Sequence, residues 1–528
     1  MTRLPDSAAA RRVSLLLLLG SLLGDFSHAA GDAACKALLQ RDFGQTLDAP
    51  TRLTAAALDE PGGGVPAHCR LEGYVAPQVG LELRLPASNW NGKLLTQGCG
   101  AMCGMMLGSE ACAEAVSRGY ACVTTDMGHR GLPYDGKWAY NNPVAEIDLG
   151  HRATHVATLA AKAVVAAYYS AAPKRSYFRG CSTGGRQALV AAQRYPYDYD
   201  GIIGGAIVFY QLMGPPLQLF WGSTVNLDRQ GKPILDVAKL PMLAKAVLAA
   251  CDANDGVRDG VIDNPLQCQF KPESLRCGAQ PGTECLSDAE VAVVQKMYAG
   301  PMTSQGMKIM PSGQLPGSEL AWDSYFRGGK ASPNYGFGVE ILRYLAFPTD
   351  PGPAYDLTDF NWDRDPQRMS LSMFSAGNPD LTLFRNAGGK LLMFHGLADP
   401  AIFATSTIAY YDLATRTMGG RKDMDAFARL FLLPGLYHCR GGPGTNYADM
   451  LGALERWVER GVAPDMIMGY HQNNDARGPV DPPVGFDPRT AEFSRPIFPY
   501  PDRAVYTGTG DWKDPGNYQR RPGSSHFP

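Results

Sequence analysis

The stretch Tyr177-Phe178-Arg179-Gly180-Cys181-Ser182-Thr183-Gly184-Gly185 contains a Gly-x-Ser-x-Gly motif. Such a motif places a serine on a sharp turn between a strand and a helix, where the strained backbone requires small neighbours. The residues before the motif predict a short strand, and the spacing after it predicts a helix from Arg186. We therefore predict that Ser182 is a catalytic nucleophile. The alternative is a glycine-rich turn without chemistry.

Around the motif, predicted strands and helices alternate. Strands are predicted over 81–85, 93–97, 120–126, 176–178, 200–207, 390–395 and 428–433, and helices over 151–169, 186–194 and 406–417. This alternation is typical of a mostly parallel sheet covered by helices. We therefore predict the α/β class and, within it, an α/β-hydrolase fold.

The alternation is interrupted between residues 208 and 388. This segment is rich in Gly, Pro, Asp and aromatic residues and contains four closely spaced cysteines. A chain of 528 residues is also too long for one compact core. We predict that residues 31–207 and 389–528 form the catalytic domain, and that residues 208–388 form a large inserted lid domain.

Residues 1–30 have the features of an export signal. Arg11 and Arg12 precede a short apolar run, and small residues follow at Ser27, Ala29 and Ala30. We predict a signal peptide and a secreted or periplasmic protein without stable membrane insertion. An N-terminal membrane anchor is the alternative, and the paired arginines leave both general and twin-arginine export open.

Charge and cysteine content restrict the partners and the bound metals that this protein can have. The formal net charge is -2 and no basic stripe occurs, which argues against a nucleic-acid partner. The chain has 12 cysteines, an even number that predicts disulfides in an exported protein. A zinc site would need paired Cys-x-x-Cys or Cys/His spacing, which the sequence lacks.

A catalytic serine needs a histidine base and a carboxylate that orients it. In α/β-hydrolases the chain order is serine, acid, histidine. Asp399 follows the predicted strand over 390–395, and His438 follows the next one over 428–433, so we predict Asp399 as the acid and His438 as the base. His395 is predicted to line the substrate pocket or to brace the turn before Asp399. The weaker competitors are His129, His151, His155 and Asp380.

The oxyanion of an acyl-transfer intermediate needs backbone N–H donors. Thr183 directly follows the nucleophile, near the positive end of the predicted helix dipole, and is predicted to donate one N–H. Gly100, in the Gly98-Cys99-Gly100 loop after the strand over 93–97, is predicted to donate the second.

Two cysteines flank the predicted catalytic residues. Cys181 directly precedes Ser182, and Cys439 directly follows His438. If the serine hydroxyl and the imidazole are within hydrogen-bond reach, these neighbours can approach to about 6 Å between Cα atoms, as a disulfide requires. We therefore predict a Cys181–Cys439 bond, with two unrelated buried thiols as the alternative.

These motifs together resemble the tannase and feruloyl esterase family, whose hallmark is this Cys-Ser, Asp, His-Cys arrangement. The resemblance covers nearly all of the chain after residue 30. The segments that carry it are Trp90-Asn91-Gly92-Lys93, Thr125-Asp126-Met127-Gly128-His129, the stretch from Tyr177 to Gly185, His395-Gly396-Leu397-Ala398-Asp399-Pro400, and His438-Cys439. The resemblance implies a secreted α/β-hydrolase that cleaves esters of aromatic acids such as gallate and hydroxycinnamates.

A loop in the predicted lid, residues 251–263, is rich in carboxylates and glycine. It is not an EF-hand, because the twelfth position counted from Asp255 is Leu266 rather than Glu. Oxygen atoms of this loop are still predicted to bind one Ca²⁺, which suits flexible oxygen coordination better than Mg²⁺. The predicted ligands are the carboxylates of Asp252, Asp255 and Asp259 and the carbonyls of Val257 and Val261. A solvated acidic turn is the alternative, but the family resemblance implies a structural Ca²⁺ here and no organic cofactor.

Ten cysteines remain to be paired. We predict the pairs Cys251–Cys268, Cys277–Cys285 and Cys35–Cys69. Cys99, Cys103, Cys112 and Cys122 leave several pairings open, of which we favour Cys103–Cys112.

The predicted substrate is a small-molecule aromatic ester. Trp322, with Tyr325 and Phe326, is predicted to stack on the acyl group, and packing within the lid core is the equal alternative. Arg327 or Arg343 would favour a terephthalate-type monoester if either bound an acid group. A non-catalytic protein that binds phenolics or carbohydrates on a hydrolase fold is the alternative from another class.

Overall fold

The computed structural model describes residues 31–209, 215–278, 282–369, 371–473 and 480–525. The signal peptide predicted for residues 1–30 lies outside the described residues. The main element is a nine-stranded sheet with the order β1-β2-β3-β5-β4-β6-β7-β8-β9. Its strands are β1 (Thr51–Asp59), β2 (His68–Val75), β3 (Val79–Pro86), β4 (Lys93–Gln97), β5 (Ala121–Thr125), β6 (Arg175–Cys181), β7 (Gly201–Gly205), β8 (Lys390–Gly396) and β9 (Ala428–Leu433).

The sheet has an antiparallel half and a parallel half. β1, β2, β3 and β5 pair antiparallel in succession. β5, β4, β6, β7, β8 and β9 all pair parallel. All residues of β5 and β7 are buried, as expected for parallel strands that helices cover on both faces. Because parallel strands share one direction, the loops after β4, β6, β8 and β9 leave from the same edge of the sheet.

Helices cover this sheet and are the main regular elements in the described part of the inserted segment. They are α1 (Gly108–Ala111), α2 (Ala113–Ser117), α3 (Pro143–Ile147), α4 (Ala153–Tyr169), α5 (Thr183–Arg194), α6 (Pro215–Val225), α7 (Leu240–Cys251), α8 (Asp288–Ala299), α9 (Asp323–Phe326), α10 (Pro333–Tyr344), α11 (Leu371–Phe374), α12 (Thr382–Asn386), α13 (Ala404–Thr417), α14 (Arg421–Asp425) and α15 (Met450–Arg460). Among the described residues, no helix is both long and apolar enough to cross a bilayer.

The segment predicted as a lid lies between β7 and β8. Its described residues contain helices α6 to α12 and contribute no strand to the sheets. After β9 the chain adds a three-stranded sheet and a hairpin, formed by β10 (Tyr447–Ala448), β11 (Ile467–His471), β12 (Phe493–Ile497), β13 (Arg503–Tyr506) and β14 (Tyr518–Arg521). The α/β class is therefore confirmed, and the exact domain boundaries stay a prediction.

Candidate active site

Ser182 alone forms the turn between β6 and α5. The strand ends at Cys181 and the helix begins at Thr183, three residues before the predicted start at Arg186. Ser182 has φ 63° and ψ -121°, a conformation that residues other than glycine rarely adopt. The turn therefore projects the serine side chain at the start of the helix, as a nucleophile turn requires.

Close backbone contacts explain why glycines surround this serine. A Cβ atom on Gly180 would lie 2.6 Å from the carbonyl oxygen of Gly184. One on Gly185 would lie 2.2 Å from the carbonyl oxygen of Gly205, in the neighbouring strand β7. Larger residues would push the helix away from the sheet, so the motif is a packing requirement as well as a chemical one.

The predicted acid and base are in contact. His438 Nδ1 lies 2.8 Å from Asp399 Oδ2, and Asp399 is 4 % exposed. Burial alone would raise the pKa of Asp399. The charge of His438 and the hydrogen bonds from His395 and His438 outweigh burial and hold this pKa well below its usual range. Asp399 is therefore an ionised carboxylate that can orient the imidazole and stabilise its protonated form.

A disulfide joins the turn of Ser182 to the loop of His438. Cys181 and Cys439 are bonded, as predicted, with their Cα atoms 6.0 Å apart. Cys439 has φ 63°, so both turns carry a residue in the left-handed region. Among the described residues, no hydrogen bond joins Ser182 Oγ to His438. Such contacts are often long in the absence of substrate and shorten when it binds.

The loop after β4 packs against the first turn of α5. Thr183 Oγ1 donates to the carbonyl oxygen of Ala101 at 2.6 Å, and the Gly98 N–H donates to Arg179 O at 2.8 Å. Gly100 is exposed in this loop. The predicted oxyanion donors Gly100 and Thr183 therefore lie on two segments that a side-chain hydrogen bond connects. Their role in catalysis stays a prediction.

The disulfides correct one predicted pairing. Cys35–Cys69, Cys251–Cys268 and Cys277–Cys285 are confirmed. The predicted Cys103–Cys112 pair is wrong, because Cys103 bonds Cys99 and Cys112 bonds Cys122. The loop after β4 folds back on itself, which brings the Cα atoms of Cys99 and Cys103 to 5.5 Å, and Cys112 packs beside strand β5.

Trp322 lies in the interior of the lid. It is fully buried in the lid, where its ring packs edge-on against Tyr298 and Phe326 at centroid distances of 5.4 Å and 6.0 Å. Tyr325 and Phe326 are also buried. The predicted substrate-binding role of Trp322 is therefore wrong, and the alternative of core packing holds.

His395 braces the acid instead of lining a pocket. It is fully buried, and its Nε2 lies 3.2 Å from Asp399 Oδ2 and 3.1 Å from the carbonyl oxygen of Ile402. Its Nδ1 lies 2.7 Å from Thr407 Oγ1. Of the two roles predicted for His395, the geometry supports bracing of the turn and contradicts contact with the substrate. Strand β8 turns this side chain inward, and it holds Asp399 from the side opposite His438.

The acidic loop in the lid has oxygen chemistry suited to a hard cation. Burial, with the charges of Asp263 and Asp259, raises the pKa of Asp255 to about 7. Asp263 Oδ2 is buried and has no hydrogen-bond partner within the described residues. The raised pKa of Asp255 indicates a carboxylate without enough positive charge around it, whereas Asp263 Oδ2 lies 3.7 Å from Arg503 Nη1.

Other contacts in this loop do not form a closed ligand cage. Asp252 accepts hydrogen bonds from the backbone N–H groups of Asp259 and Gly260, and Asp259 pairs with Arg495. Across the described ranges, no group of three or more His, Cys, Asp or Glu side chains is arranged to hold a metal ion. Carbonyls such as those of Val257 and Val261 would have to complete the set, and the calcium site stays a prediction.

Comparison with known proteins agrees with this geometry. The sequence matches the family model described as tannase and feruloyl esterase over residues 64–521. The chain belongs to this family. It is 34 % identical to a mono(2-hydroxyethyl) terephthalate hydrolase of Piscinibacter sakaiensis, covering 89 % of this chain and 86 % of the relative. It is 30 % identical to a probable feruloyl esterase B-1 of Aspergillus flavus, covering 85 % and 86 %.

A solved structure supports the fold of this family member. Feruloyl esterase B from Aspergillus oryzae matches with a TM-score of 0.80 and 27 % identity, covering 93 % of this chain and all of that one. The predicted α/β-hydrolase fold is thereby confirmed. The protein is a carboxylic ester hydrolase of the tannase and feruloyl esterase family, so the alternative of a non-catalytic binding protein is set aside.

One residue near this site was not singled out by sequence. Arg440 is exposed two residues after His438, and its side chain has no ion pair or hydrogen bond within the described residues. The motif His438-Cys439 ends just before it, so no pattern drew attention to it. Its position beside the proposed base makes it a candidate contact for a charged substrate.

Proposed function

We propose that this esterase hydrolyses esters of hydroxycinnamic or gallic-type aromatic acids through an acyl-enzyme on Ser182. The observation that carries the mechanism is the 2.8 Å contact between His438 Nδ1 and the buried Asp399 Oδ2, with His438 on a loop that a disulfide joins to the nucleophile turn. The aromatic acyl group is supported by the family of feruloyl esterases and tannases to which the chain belongs.

The proposed reaction has two acyl-transfer steps. Ser182 Oγ attacks the ester carbonyl while His438 Nε2 takes the serine proton, and the N–H groups of Gly100 and Thr183 bind the oxyanion. The imidazolium then gives this proton to the leaving alcohol, which breaks the ester bond and leaves an acyl-Ser182. Water repeats the attack with His438 as base, and the acid product leaves.

A terephthalate-type monoester is the second candidate substrate. It is favoured by the relative from Piscinibacter sakaiensis and by the exposed guanidinium of Arg440. The two arginines first considered for this role are already engaged. Arg327 pairs with Asp323, and Arg343 donates to Tyr355 O at 2.7 Å and lies 3.4 Å from Glu340. We therefore rank esters of hydroxycinnamic and gallic-type acids first, because their acyl groups carry no free carboxylate.

A panel of four esters tests this order. We expect kcat/KM on methyl ferulate or methyl gallate to exceed that on mono(2-hydroxyethyl) terephthalate by about 10-fold or more. The terephthalate monoester carries a free carboxylate, and burying this group without a firm partner is unfavourable. Chlorogenate is the fourth substrate. Arg440→Gln should leave the methyl esters unaffected. A higher rate on the terephthalate monoester that Arg440→Gln abolishes would support the second candidate instead.

We also propose that the protein is exported and binds a structural Ca²⁺ in the lid. All 12 cysteines are in disulfides, which persist in oxidising compartments. The proposed Ca²⁺ would be held by oxygens of the loop from Asp252 to Val261 and would neutralise its clustered carboxylates. It would supply no chemistry to the ester.

Chelation tests the proposed cation. We expect EGTA to lower the melting temperature by roughly 5 °C, because a ligand that binds only the folded state stabilises that state. Asp255→Asn should remove most of this response. Asp288→Asn, which alters an exposed lid carboxylate outside the loop, is the matched control and should retain it. If EGTA leaves the melting temperature of the unaltered protein unchanged, the proposed calcium site is refuted.

A further inference from the structure

Lid side chains contact the backbone of the loop that carries the catalytic acid. This acid loop, residues 399–403, follows β8, whereas the lid is inserted before β8. Tyr325 Oη and Gln314 Nε2, both from the lid, donate to the carbonyl oxygen of Pro400. Gln218 Oε1, also from the lid, accepts from the Phe403 N–H at 3.0 Å. Both ends of the acid loop are therefore held from the lid side.

The lid side chains that hold the acid loop are rigidly placed. Tyr325, Gln314 and Gln218 are 1 %, 3 % and 1 % exposed. The ring of Tyr325 lies against Gly222 so closely that a Cβ there would be 2.8 Å from Cδ1. Burial, with the charge of Asp399, raises the pKa of Tyr325 well above its ordinary value, so its hydroxyl remains a donor. Buried side chains that cannot move position their hydrogen-bond partners more firmly than exposed side chains can.

The acid loop has to keep one conformation for Asp399 to work. Asp399 Oδ1 accepts from the N–H groups of Ala401 and Ile402 at 2.8 Å and 3.0 Å, so the turn through Pro400 sets the direction of the carboxylate. Asp399 Oδ2 is then left for His438 and His395. A shift of Pro400 would rotate the carboxylate away from His438.

We propose that Tyr325 and Gln314 are positioning residues that hold the catalytic acid by anchoring Pro400 to the lid. The lid thereby completes the support of Asp399. This inference rests on the proposed function, since it requires Asp399 to act as the acid. It predicts that part of the catalytic rate depends on a hydroxyl that touches neither substrate nor catalytic side chain.

Tyr325→Phe tests the inference, since it removes the hydroxyl and keeps the ring. We expect kcat on p-nitrophenyl acetate to fall by about 10-fold, as for loss of one buried hydrogen bond that orients a catalytic group, with KM changed less than about 2-fold. Tyr335→Phe is the matched control. Its hydroxyl bonds Asp356 at 2.5 Å within the lid, so kcat should stay within about 2-fold of the original.

A double-mutant cycle separates positioning from general damage to the lid. If Tyr325 acts through Asp399, Tyr325→Phe should lower kcat in the original protein and have no further effect in an Asp399→Asn background. The low-pH limb of kcat/KM should also move to lower pH in Tyr325→Phe, because a displaced carboxylate stabilises protonated His438 less. Equal losses in both backgrounds would overturn the inference.

The Gln314→Leu and Asp399→Asn variants separate failure of the inference from failure of the proposed acid. Gln314→Leu removes the second donor and is measured in the same cycle if Tyr325→Phe does not fold. A fully active Asp399→Asn would show that the proposed acid is wrong, and the inference would fall with it. An inactive Asp399→Asn together with unchanged kcat in Tyr325→Phe and Gln314→Leu would overturn the inference alone and leave the proposed function standing.

Discussion

Replacing Ser182 with alanine is expected to lower kcat on p-nitrophenyl acetate by a factor of about 10⁴ or more, because no other group can form the acyl-enzyme. The melting temperature should stay close to that of the original protein. Alanine keeps the small size that the turn needs, and the lost hydroxyl is only half-buried and has no hydrogen bond within the described residues. Steady-state kinetics and thermal unfolding of the purified variant measure both quantities.

Ser324→Ala is the matched control for this experiment. Ser324 lies in the lid, and its exposed hydroxyl donates to the carbonyl oxygen of Ala321. We expect full activity from this variant. Comparable turnover by Ser182→Ala and the original protein would contradict the proposed nucleophile and leave the ester hydrolysis to another residue.

Removing the disulfide beside the proposed catalytic residues is expected to have the second largest effect. The double variant Cys181→Ala/Cys439→Ala lacks the Cys181–Cys439 disulfide, which spans 258 residues. The chain-entropy model assigns such a bond about 5–6 kcal/mol of stability. Activity should fall by about 100-fold, because the turn of Ser182 and the loop of His438 are no longer fixed relative to each other. Denaturant unfolding and kcat at a temperature where the variant is folded measure these effects.

The lid disulfide Cys277–Cys285 provides the control for that double replacement. It spans 8 residues and lies far along the chain from Ser182, Asp399 and His438. Removing it should lower stability less and leave kcat unchanged. Equal losses of activity in the two double variants would show that the Cys181–Cys439 bond acts through general stability and not through the positions of the catalytic residues.

Local sequence patterns are sufficient to predict strands in the parallel half of the sheet. The strands predicted over 93–97 and 428–433 match β4 and β9 residue for residue. Short apolar runs between turn residues predict buried parallel strands well, because both faces are covered. The antiparallel β1 and β2 were not predicted as strands. Several of their residues are partly exposed, which weakens the apolar pattern.

The start of helix α5 shows where local spacing fails. Glycines at 184 and 185 disfavour a helix by propensity, and the sequence predicts a start at Arg186. The structure begins the helix at Thr183, because close packing of Gly184 and Gly185 against neighbouring backbone compensates for their low propensity. Tertiary contact therefore decides the position of the helix end that faces the site.

Sequence patterns alone predict the nucleophile turn, the order of Ser182, Asp399 and His438, and the pairing of Cys181 with Cys439. Each of these depends on residues next to one another or on a fixed order of strand ends. The packed structure is needed to show that Trp322 is lid core, that His395 braces Asp399, that Cys103 pairs with Cys99, and that Tyr325 and Gln314 reach Pro400. Those facts depend on which side chains meet across a chain separation of up to 86 residues. Local patterns do not contain that information, because burial and contact are properties of the packed molecule.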